Sequence, residues 1–228
     1  IIPQRIGVVS INFKLTETVF NSGGIMIKFK NISLKFNEKI ILDEFSLNIN
    51  KGEKVLISGK SGKGKSTLLK ILLGFNSPNS GEVFFNDIEL TEKTIDNIRK
   101  YLGYMPQSTP FLNDNVEKII NNIFNYKLNA KKKLDYDKLF YFFNLFHLEK
   151  NILSKHINEL SGGEKQRLAF IITILLDREV WILDEITSSL DQEMKEKVTE
   201  YILNSDKTVI LVSHDHTTSL EKFRRVTL

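Results

Sequence analysis

The chain has 228 residues, of which 41% are hydrophobic and 26% charged, and it contains no cysteine. This composition is typical of a globular protein and excludes disulfides and thiolate metal sites. The net charge is only +4, which favours charge scattered over a solvated surface and no nucleic-acid partner. The longest apolar run, Leu168–Leu176, is far shorter than the roughly 20 residues of a membrane-spanning helix. We therefore expect a soluble domain that reaches a membrane only through a partner.

The first 25 residues differ from the rest of the chain. Apolar and polar residues alternate between Val9 and Thr16, which predicts a half-buried strand. Ser22, Gly23 and Gly24 then predict a turn. We interpret residues 1–25 as an extension or linker, followed by one domain at residues 26–228.

Residues 25–49 predict two or three strands with short alternation of apolar side chains. An apolar run follows and ends at Gly59, and apolar residues then recur with helical spacing from Lys65 onward. The order is strand, glycine-rich loop, helix.

The second half of the chain predicts a helical lobe at about 108–165, because residues 113–158 lack glycine and proline. Within it, Lys131–Lys133 is interpreted as a solvated face or loop. An apolar helix ending at Leu176 comes next, and two buried strands follow, separated by a helix rich in Glu and Lys. Alternating strands and helices predict a mainly parallel sheet covered on both faces.

The glycine-rich loop matches the pattern G-x-x-x-x-G-K-[ST] of phosphate-binding loops. Glycines let successive backbone N–H groups point at phosphate oxygens, next to the positive end of a helix. Lys65 is expected to reach the β- and γ-phosphates, and the Ser66 hydroxyl to ligate Mg²⁺. A glycine-rich surface loop is the alternative, which the strand before the loop and the helix after it disfavour. The predicted nucleotide-binding residues here are Gly59, Lys60, Ser61, Gly62, Lys63, Gly64, Lys65, Ser66 and Thr67.

The second motif is an apolar run, Val180–Leu183, that leads into Asp184 and Glu185. A buried strand of this kind delivers its carboxylates to the carboxyl edge of the sheet, where ligands bind. Asp184 is expected to hold Mg²⁺ through its water shell, and Glu185 to polarise the water that attacks the γ-phosphate. Without the phosphate-binding loop, the same residues would be interpreted as a solvated turn.

The third motif is Leu160-Ser161-Gly162-Gly163-Glu164. A serine and two glycines at a helix start leave N–H groups and a hydroxyl available to an anion. With this run the sequence resembles the ABC ATPase family, whose signature it matches. The resemblance implies an α/β P-loop NTPase fold with a mainly parallel sheet, an N-terminal antiparallel β-subdomain and an inserted helical lobe. It also implies a head-to-tail dimer in which Ser161, Gly162 and Gly163 cap the ATP held by the other copy.

The resemblance extends to four further positions. It implies that Phe36 stacks on adenine and that Gln107 senses Mg²⁺ and the γ-phosphate. It also implies that Ser189-Leu190-Asp191 communicates across the dimer and that His214 contacts the γ-phosphate. Without the resemblance, Phe36 would be interpreted as a core strand residue, Gln107 as part of a turn and His214 as a strand-end histidine. The implied catalytic residues are Lys65, Gln107, Glu185 and His214, and the implied metal ligands are Ser66, Gln107 and Asp184.

The family resemblance implies a subunit that binds ATP and Mg²⁺ and hydrolyses ATP. That subunit powers transport through a transmembrane domain or subunit, at the cytoplasmic face of the cell membrane. Many members of the family carry proline where this chain has Ile186. Fused exporters usually have a longer acidic-glycine segment where this chain has residues 154–159, and glutamine in place of Glu164. These departures resemble small free-standing subunits, including those linked to iron export. The N-terminal segment leaves open the tail of a fused transmembrane domain.

Other functional classes fit the sequence less well. An ABC ATPase clamp that acts on nucleic acid or ribosomes typically carries a long coiled coil or two tandem ATPase units. A P-loop kinase or GTPase would not need the run at residues 160–164. A catalytically silent binding module is disfavoured because every expected catalytic position is filled.

Overall fold

The computed structural model describes residues 24–37, 39–60, 62–108, 111–213 and 218–228, so the strand expected within residues 9–16 lies outside it. The strands are β1 Ile25–Phe36, β2 Lys39–Asn50, β3 Lys54–Ser58, β4 Ser80–Phe85, β5 Ile88–Glu89, β6 Leu102–Met105, β7 Val180–Asp184, β8 Thr208–Val212 and β9 Arg224–Thr227. The helices are α1 Lys65–Leu72, α2 Ile95–Ile98, α3 Val116–Asn125, α4 Tyr136–Leu145, α5 Gly162–Leu176 and α6 Gln192–Asn204.

The predicted N-terminal antiparallel sheet is confirmed, with strand order β2-β1-β4-β5. Residues 25–49 form two long strands rather than three. The alternating segments at residues 25–29 and 32–36 both belong to β1. The pairing of β1 with β2 shifts register between Phe29 and Ile32. Asn31 lies at this shift with φ 50°, and its N–H donates to the Ser46 hydroxyl at 2.9 Å. A bulge of this kind bends a strand without ending it.

The predicted parallel sheet is also confirmed, with order β6-β7-β8-β3-β9 and every pair parallel. Side chains alternate between its faces, as the strand repeat of two requires. On β7, Trp181 and Leu183 enter one hydrophobic cluster, while Val180 and Ile182 enter the other. Each fully buried apolar side chain contributes about 1.5–3 kcal/mol to folding, so both faces hold the sheet in place.

Different elements cover the two faces of the sheet. Helix α1 and the antiparallel sheet share a hydrophobic cluster with one face, and α3 to α6 share a cluster with the other. Helix α5 contacts β6, and α4 packs against α5. Helices α3 and α4 lie between β6 and β7 in the chain, within the region predicted as a helical lobe. Lys131 and Lys133 are exposed as expected, whereas Lys132 is half-buried and its ammonium donates to the Asp177 carbonyl oxygen at 3.1 Å. No helix in the described ranges has both the length and the apolar character needed to cross a membrane.

Candidate functional site at the carboxyl edge of the parallel sheet

The phosphate-binding loop connects β3 to α1, as predicted. Gly64 precedes the helix with φ 93°, and a Cβ there would lie 2.7 Å from Ile41 Cγ2 and 3.2 Å from the Ile41 carbonyl oxygen. Gly64 therefore needs both the conformational freedom and the small size of glycine. Gly59 and Gly62 also have positive φ, and Ser61 lies outside the described residues.

The amino end of α1 is open to an anion. Gly64 supplies no side-chain cap, and the first turn contains no acidic residue. The first N–H groups of a helix have no partner within the helix and carry partial positive charge. Lys65 is buried, and its ammonium donates to the carbonyl oxygens of Gly59 at 2.8 Å and Lys60 at 3.2 Å. Main-chain N–H groups and a cation thus converge on one short loop.

Asp184 lies at the end of β7 and is almost fully buried. Burial raises the pKa of this carboxyl above its ordinary value, and the negative charge of Glu185 raises it further. A hydrogen bond from the Ser66 hydroxyl acts in the opposite direction but is smaller than the effect of burial. Within the described chain, Asp184 Oδ1 is buried and accepts no hydrogen bond. A buried carboxylate oxygen without a donor is costly unless a cation or a water reaches it. The pair of Asp184 and Ser66 therefore fits a divalent cation that prefers oxygen ligands.

Glu185 follows Asp184 and adopts the left-handed conformation, with φ 51°. Its backbone N–H donates to the Val212 carbonyl oxygen at 2.8 Å, which ties it to the end of β8. Gln107 Nε2 donates to Glu185 Oε2 at 2.7 Å, which ties the carboxylate to the segment after β6. Burial, and then the charge of Asp184, raises the pKa of the nearby Tyr104. Three neighbouring strands thus deliver polar groups to one edge of the sheet, as open α/β sheets do at ligand sites.

The serine-glycine run forms a second feature, at the start of α5. The Ser161 hydroxyl accepts from Glu164 N at 3.2 Å, and the Glu164 carboxylate accepts from Ser161 N at 2.7 Å. These two hydrogen bonds form a capping box at the start of the helix. A Cβ on Gly163 would lie 3.0 Å from the Ser189 carbonyl oxygen, whereas a Cβ on Gly162 would meet Ser189 Oγ at an ordinary 3.5 Å. Both glycines of this run therefore lie beside Ser189, in the segment that follows Glu185.

The remaining predicted site residues differ in how exposed their side chains are. Phe36 ends β1 and is 51% exposed, so its ring is accessible to a ligand. Thr67 is half-buried on α1. Lys60 and Lys63 are exposed on the loop. His214 lies outside the described residues.

Sequence reasoning missed Gln166, a buried polar side chain on α5. Gln166 Nε2 donates to Ser188 Oγ at 2.9 Å, and Gln166 Oε1 accepts from Ser189 N at 2.9 Å. A glutamine directly after the predicted signature carries no local signal, since only tertiary structure gives it these partners.

A family model described as ABC transporter matches residues 42–188. The probable iron export ATP-binding protein FetA of Escherichia coli (strain K12) is 34% identical over 194 residues, which cover 83% of this chain and 85% of that protein. The lactococcin-G-processing and transport ATP-binding protein LagD of Lactococcus lactis subsp. lactis is 34% identical over 215 residues. The match spans 89% of this chain but only 29% of LagD.

Solved structures of ABC proteins align with this chain over about 90% of its length. The dimeric post-hydrolysis state of the ATP-binding cassette MJ0796, bound to ADP and Pi, aligns with a TM-score of 0.75 at 27% identity. That alignment covers 89% of this chain and 94% of the other. A bacterial Atm1-family ABC exporter with ATP bound has the same fold, with a TM-score of 0.77 at 22% identity over 90% of this chain and 37% of that one.

The fold and the carboxyl-edge site define a P-loop ATPase. The chain belongs to the ABC transporter family, and its predicted family resemblance is confirmed.

Proposed function

We propose that this chain is the ATP-binding and ATP-hydrolysing unit of a transporter, and that it powers movement of a substrate across a membrane through a partner transmembrane domain. The observation that carries the proposal is the convergence of Lys65, Ser66, Asp184, Glu185 and Gln107 at one edge of the parallel sheet. We assign this function to residues 26–228, with a helical lobe at about 108–165 and residues 1–25 as an extension or linker.

Nucleotide binding rests on the phosphate-binding loop. The open N–H groups of α1 and the loop glycines receive the phosphate oxygens. The Lys65 ammonium, which now donates to two loop carbonyls, exchanges them for the β- and γ-phosphates. Phe36 stacks on the adenine, since half of its surface is accessible at the end of β1.

Mg²⁺ is the cation that this donor set fits. The buried Asp184 Oδ1 and the Ser66 hydroxyl would hold it, Asp184 through water, with Gln107 as a further oxygen ligand. In the described ranges, no group of three or more His, Cys, Asp or Glu side chains is placed to hold a metal ion. Mg²⁺ in nucleotide sites commonly uses one or two protein ligands together with phosphate oxygens and water, which fits Asp184 and Ser66. When bound, the ion neutralises the charge that develops on the transferred phosphoryl group.

Glu185 is positioned to act on the attacking water. Its carboxylate accepts a hydrogen bond from that water and increases the nucleophilicity of the water oxygen. Gln107, already hydrogen-bonded to this carboxylate, orients it. His214 then contacts the γ-phosphate. Such positioning and charge stabilisation carry most of the catalysis in phosphoryl transfer.

The complete site requires two copies of the chain in a head-to-tail dimer. Ser161, Gly162 and Gly163 present a helix start and a hydroxyl to the ATP held by the other copy. The dimeric cassettes among the structural relatives support this arrangement. Closure on ATP and opening after hydrolysis transmit force to the transmembrane partner, at the cytoplasmic face of the membrane. The similarity to FetA, a probable iron export ATP-binding protein, supports the resemblance to the group linked to iron export.

The test is Glu185→Gln, measured as phosphate release and as binding of radiolabelled ATP. Loss of a positioned general base should lower turnover about 10²–10⁴-fold. ATP binding should persist, because the cradle is untouched. Glu193→Gln, an exposed glutamate in the first turn of α6, is the control and should retain wild-type turnover. Unchanged turnover in Glu185→Gln would refute the assignment.

A further inference from the structure

Helix α5 is hydrogen-bonded to the segment that follows β7, which we call the post-strand loop (residues 185–191). The fastening is the side chain of Gln166, which is only 5% exposed. Both of its polar atoms are used, one by the Ser188 hydroxyl and the other by the Ser189 N–H, each at 2.9 Å. A buried amide with both atoms satisfied fixes the relative position of the two elements it joins.

The same loop also contacts the backbone of Glu185. The Ser188 N–H donates to the Glu185 carbonyl oxygen at 3.3 Å, so Ser188 contacts Glu185 with its backbone and Gln166 with its side chain. Glu185 is left-handed, a conformation that costs a non-glycine residue free energy and persists only where its surroundings enforce it. The neighbouring Ile186 and Thr187 are buried, which leaves the loop little room to rearrange.

We propose that Gln166 is a positioning residue for hydrolysis. Its hydrogen bonds hold Ser188 and Ser189 against α5 and thereby keep the backbone of Glu185 in the left-handed conformation. That conformation determines where the catalytic carboxylate of Glu185 lies. The proposal rests on the function proposed above, because it concerns the hydrolytic step at the same site. Gln166 acts on Glu185 of its own chain.

The position of Gln166 on α5 gives this fastening a second consequence. The helix begins with the run that would face the nucleotide of the other copy in the proposed dimer, and Gly163 lies directly against Ser189. A shift of the helix start therefore reaches Glu185 through Ser188 and Ser189.

The first test separates catalysis from folding. Gln166→Met keeps the side-chain length and removes both hydrogen bonds, and Ser188→Ala removes only the acceptor of Gln166 Nε2 at an exposed position. The control is Thr173→Ala, a buried polar residue of α5 whose hydroxyl donates only one turn back, to the Ala169 carbonyl oxygen at 2.9 Å. Steady-state phosphate release is normalised to the number of sites that bind a non-hydrolysable ATP analogue.

We expect kcat per site to fall about tenfold in Gln166→Met and a few-fold in Ser188→Ala, with KM changed less than about twofold. The double variant should be no slower than Gln166→Met alone, since both changes break one connection. Thr173→Ala should match the wild type. If Gln166→Met retains a kcat per site equal to that of Thr173→Ala, the proposal is overturned. If the wild type itself releases no phosphate, the proposed function fails instead.

The second test uses mixed dimers purified through two different tags, in which one chain carries Glu185→Gln. Only the other chain then retains a hydrolytic carboxylate. Gln166→Met should reduce turnover about tenfold when placed in the chain with the intact Glu185, and should have no effect in the Glu185→Gln chain. The reverse result would mean that Gln166 acts through the serine-glycine run on the partner's nucleotide, and would refute the proposal.

Discussion

The contact between Gly64 and Ile41 makes the phosphate-binding loop sensitive to a single methyl group. In Gly64→Ala, the new Cβ would lie 2.7 Å from Ile41 Cγ2 and 3.2 Å from the Ile41 carbonyl oxygen. The backbone there has φ 93°, which is unfavourable for alanine. We expect the variant to be destabilised by both effects and to bind ATP weakly, because relief of the overlap displaces the start of α1.

Gly52 provides a matched control, since it has φ 78° and a Cβ there would meet nothing within 4 Å. A positive φ costs a non-glycine residue about 1–2 kcal/mol, offset in part by the lower entropy of the unfolded variant. This contribution is shared by Gly52→Ala and Gly64→Ala. Overpacking typically adds about 1–3 kcal/mol, which only Gly64→Ala should show.

The assay is urea unfolding of both variants and the wild type, followed by circular dichroism, with ATP-analogue affinity measured in parallel. The free energy of unfolding of Gly64→Ala should lie about 1–3 kcal/mol below that of Gly52→Ala. Gly52→Ala should bind nucleotide like the wild type. Equal unfolding free energies for the two variants would show that Gly64 is not pressed against Ile41, and would refute the reasoning.

Two carboxylates give predictions of opposite sign. Burial raises the pKa of Asp184, so the folded state binds its proton more tightly and this residue destabilises the nucleotide-free fold above its folded pKa. Asp184→Asn should therefore increase the free energy of unfolding in urea at pH 7. This gain should shrink as the pH is lowered toward 3.8, the ordinary pKa of an aspartate. A gain that is equal at pH 7 and near pH 3.8 would contradict the prediction. Burial also acts to raise the pKa of Asp177, but the ammonium groups of Lys207 and Lys132 outweigh it and leave the pKa lowered. Asp177→Asn should thus lower the free energy of unfolding at pH 7 by less than about 1 kcal/mol, because the Asp177 side chain is 60% exposed. In the same urea series, this loss should fade at pH values below 3.8, the ordinary pKa of an aspartate. A loss that grows on acidification would refute the ion-pair explanation.

The elements around the predicted motifs could be read from the sequence because their signals are local. Strands β3, β7 and β8 are short apolar runs buried on both faces, and α1 follows the loop with helical spacing. The capping box of α5 is likewise visible in the order of Ser161 and Glu164. In each case burial and local hydrogen bonding require the same residues.

Other elements are determined by distant partners. Strand β9 contains two exposed arginines and only a half-buried Val226, and it becomes a strand through pairing with β3. Strand β1 continues through Asn31 because β2 and β4 hold both halves of it. Helical periodicity and strand alternation contain no information about such pairings.

The candidate site shows the same division. The phosphate-binding loop and the two carboxylates at the end of β7 were predictable from their motifs. The roles of Gln166 and the left-handed Glu185 depend on how α5 packs against the post-strand loop, which no motif encodes.

The central claim is that each active site combines the phosphate-binding loop of one chain with the serine-glycine run of another. Two inactive variants test it by complementation. Lys65→Ala removes the phosphate-binding cation. Gly162→Asp places a negative charge where the partner's ATP would bind, at a position where a Cβ has only ordinary contacts and where a helix start tolerates an acidic residue.

A mixture of the two variants should recover hydrolysis, although each alone is inactive. In a mixed dimer, the Gly162→Asp chain supplies an intact loop and the Lys65→Ala chain an intact serine-glycine run, so one of the two sites is complete. With random pairing, the mixture should show about a quarter of wild-type phosphate release. If the mixture remains as inactive as its components, each site is contained within a single chain and the account is wrong.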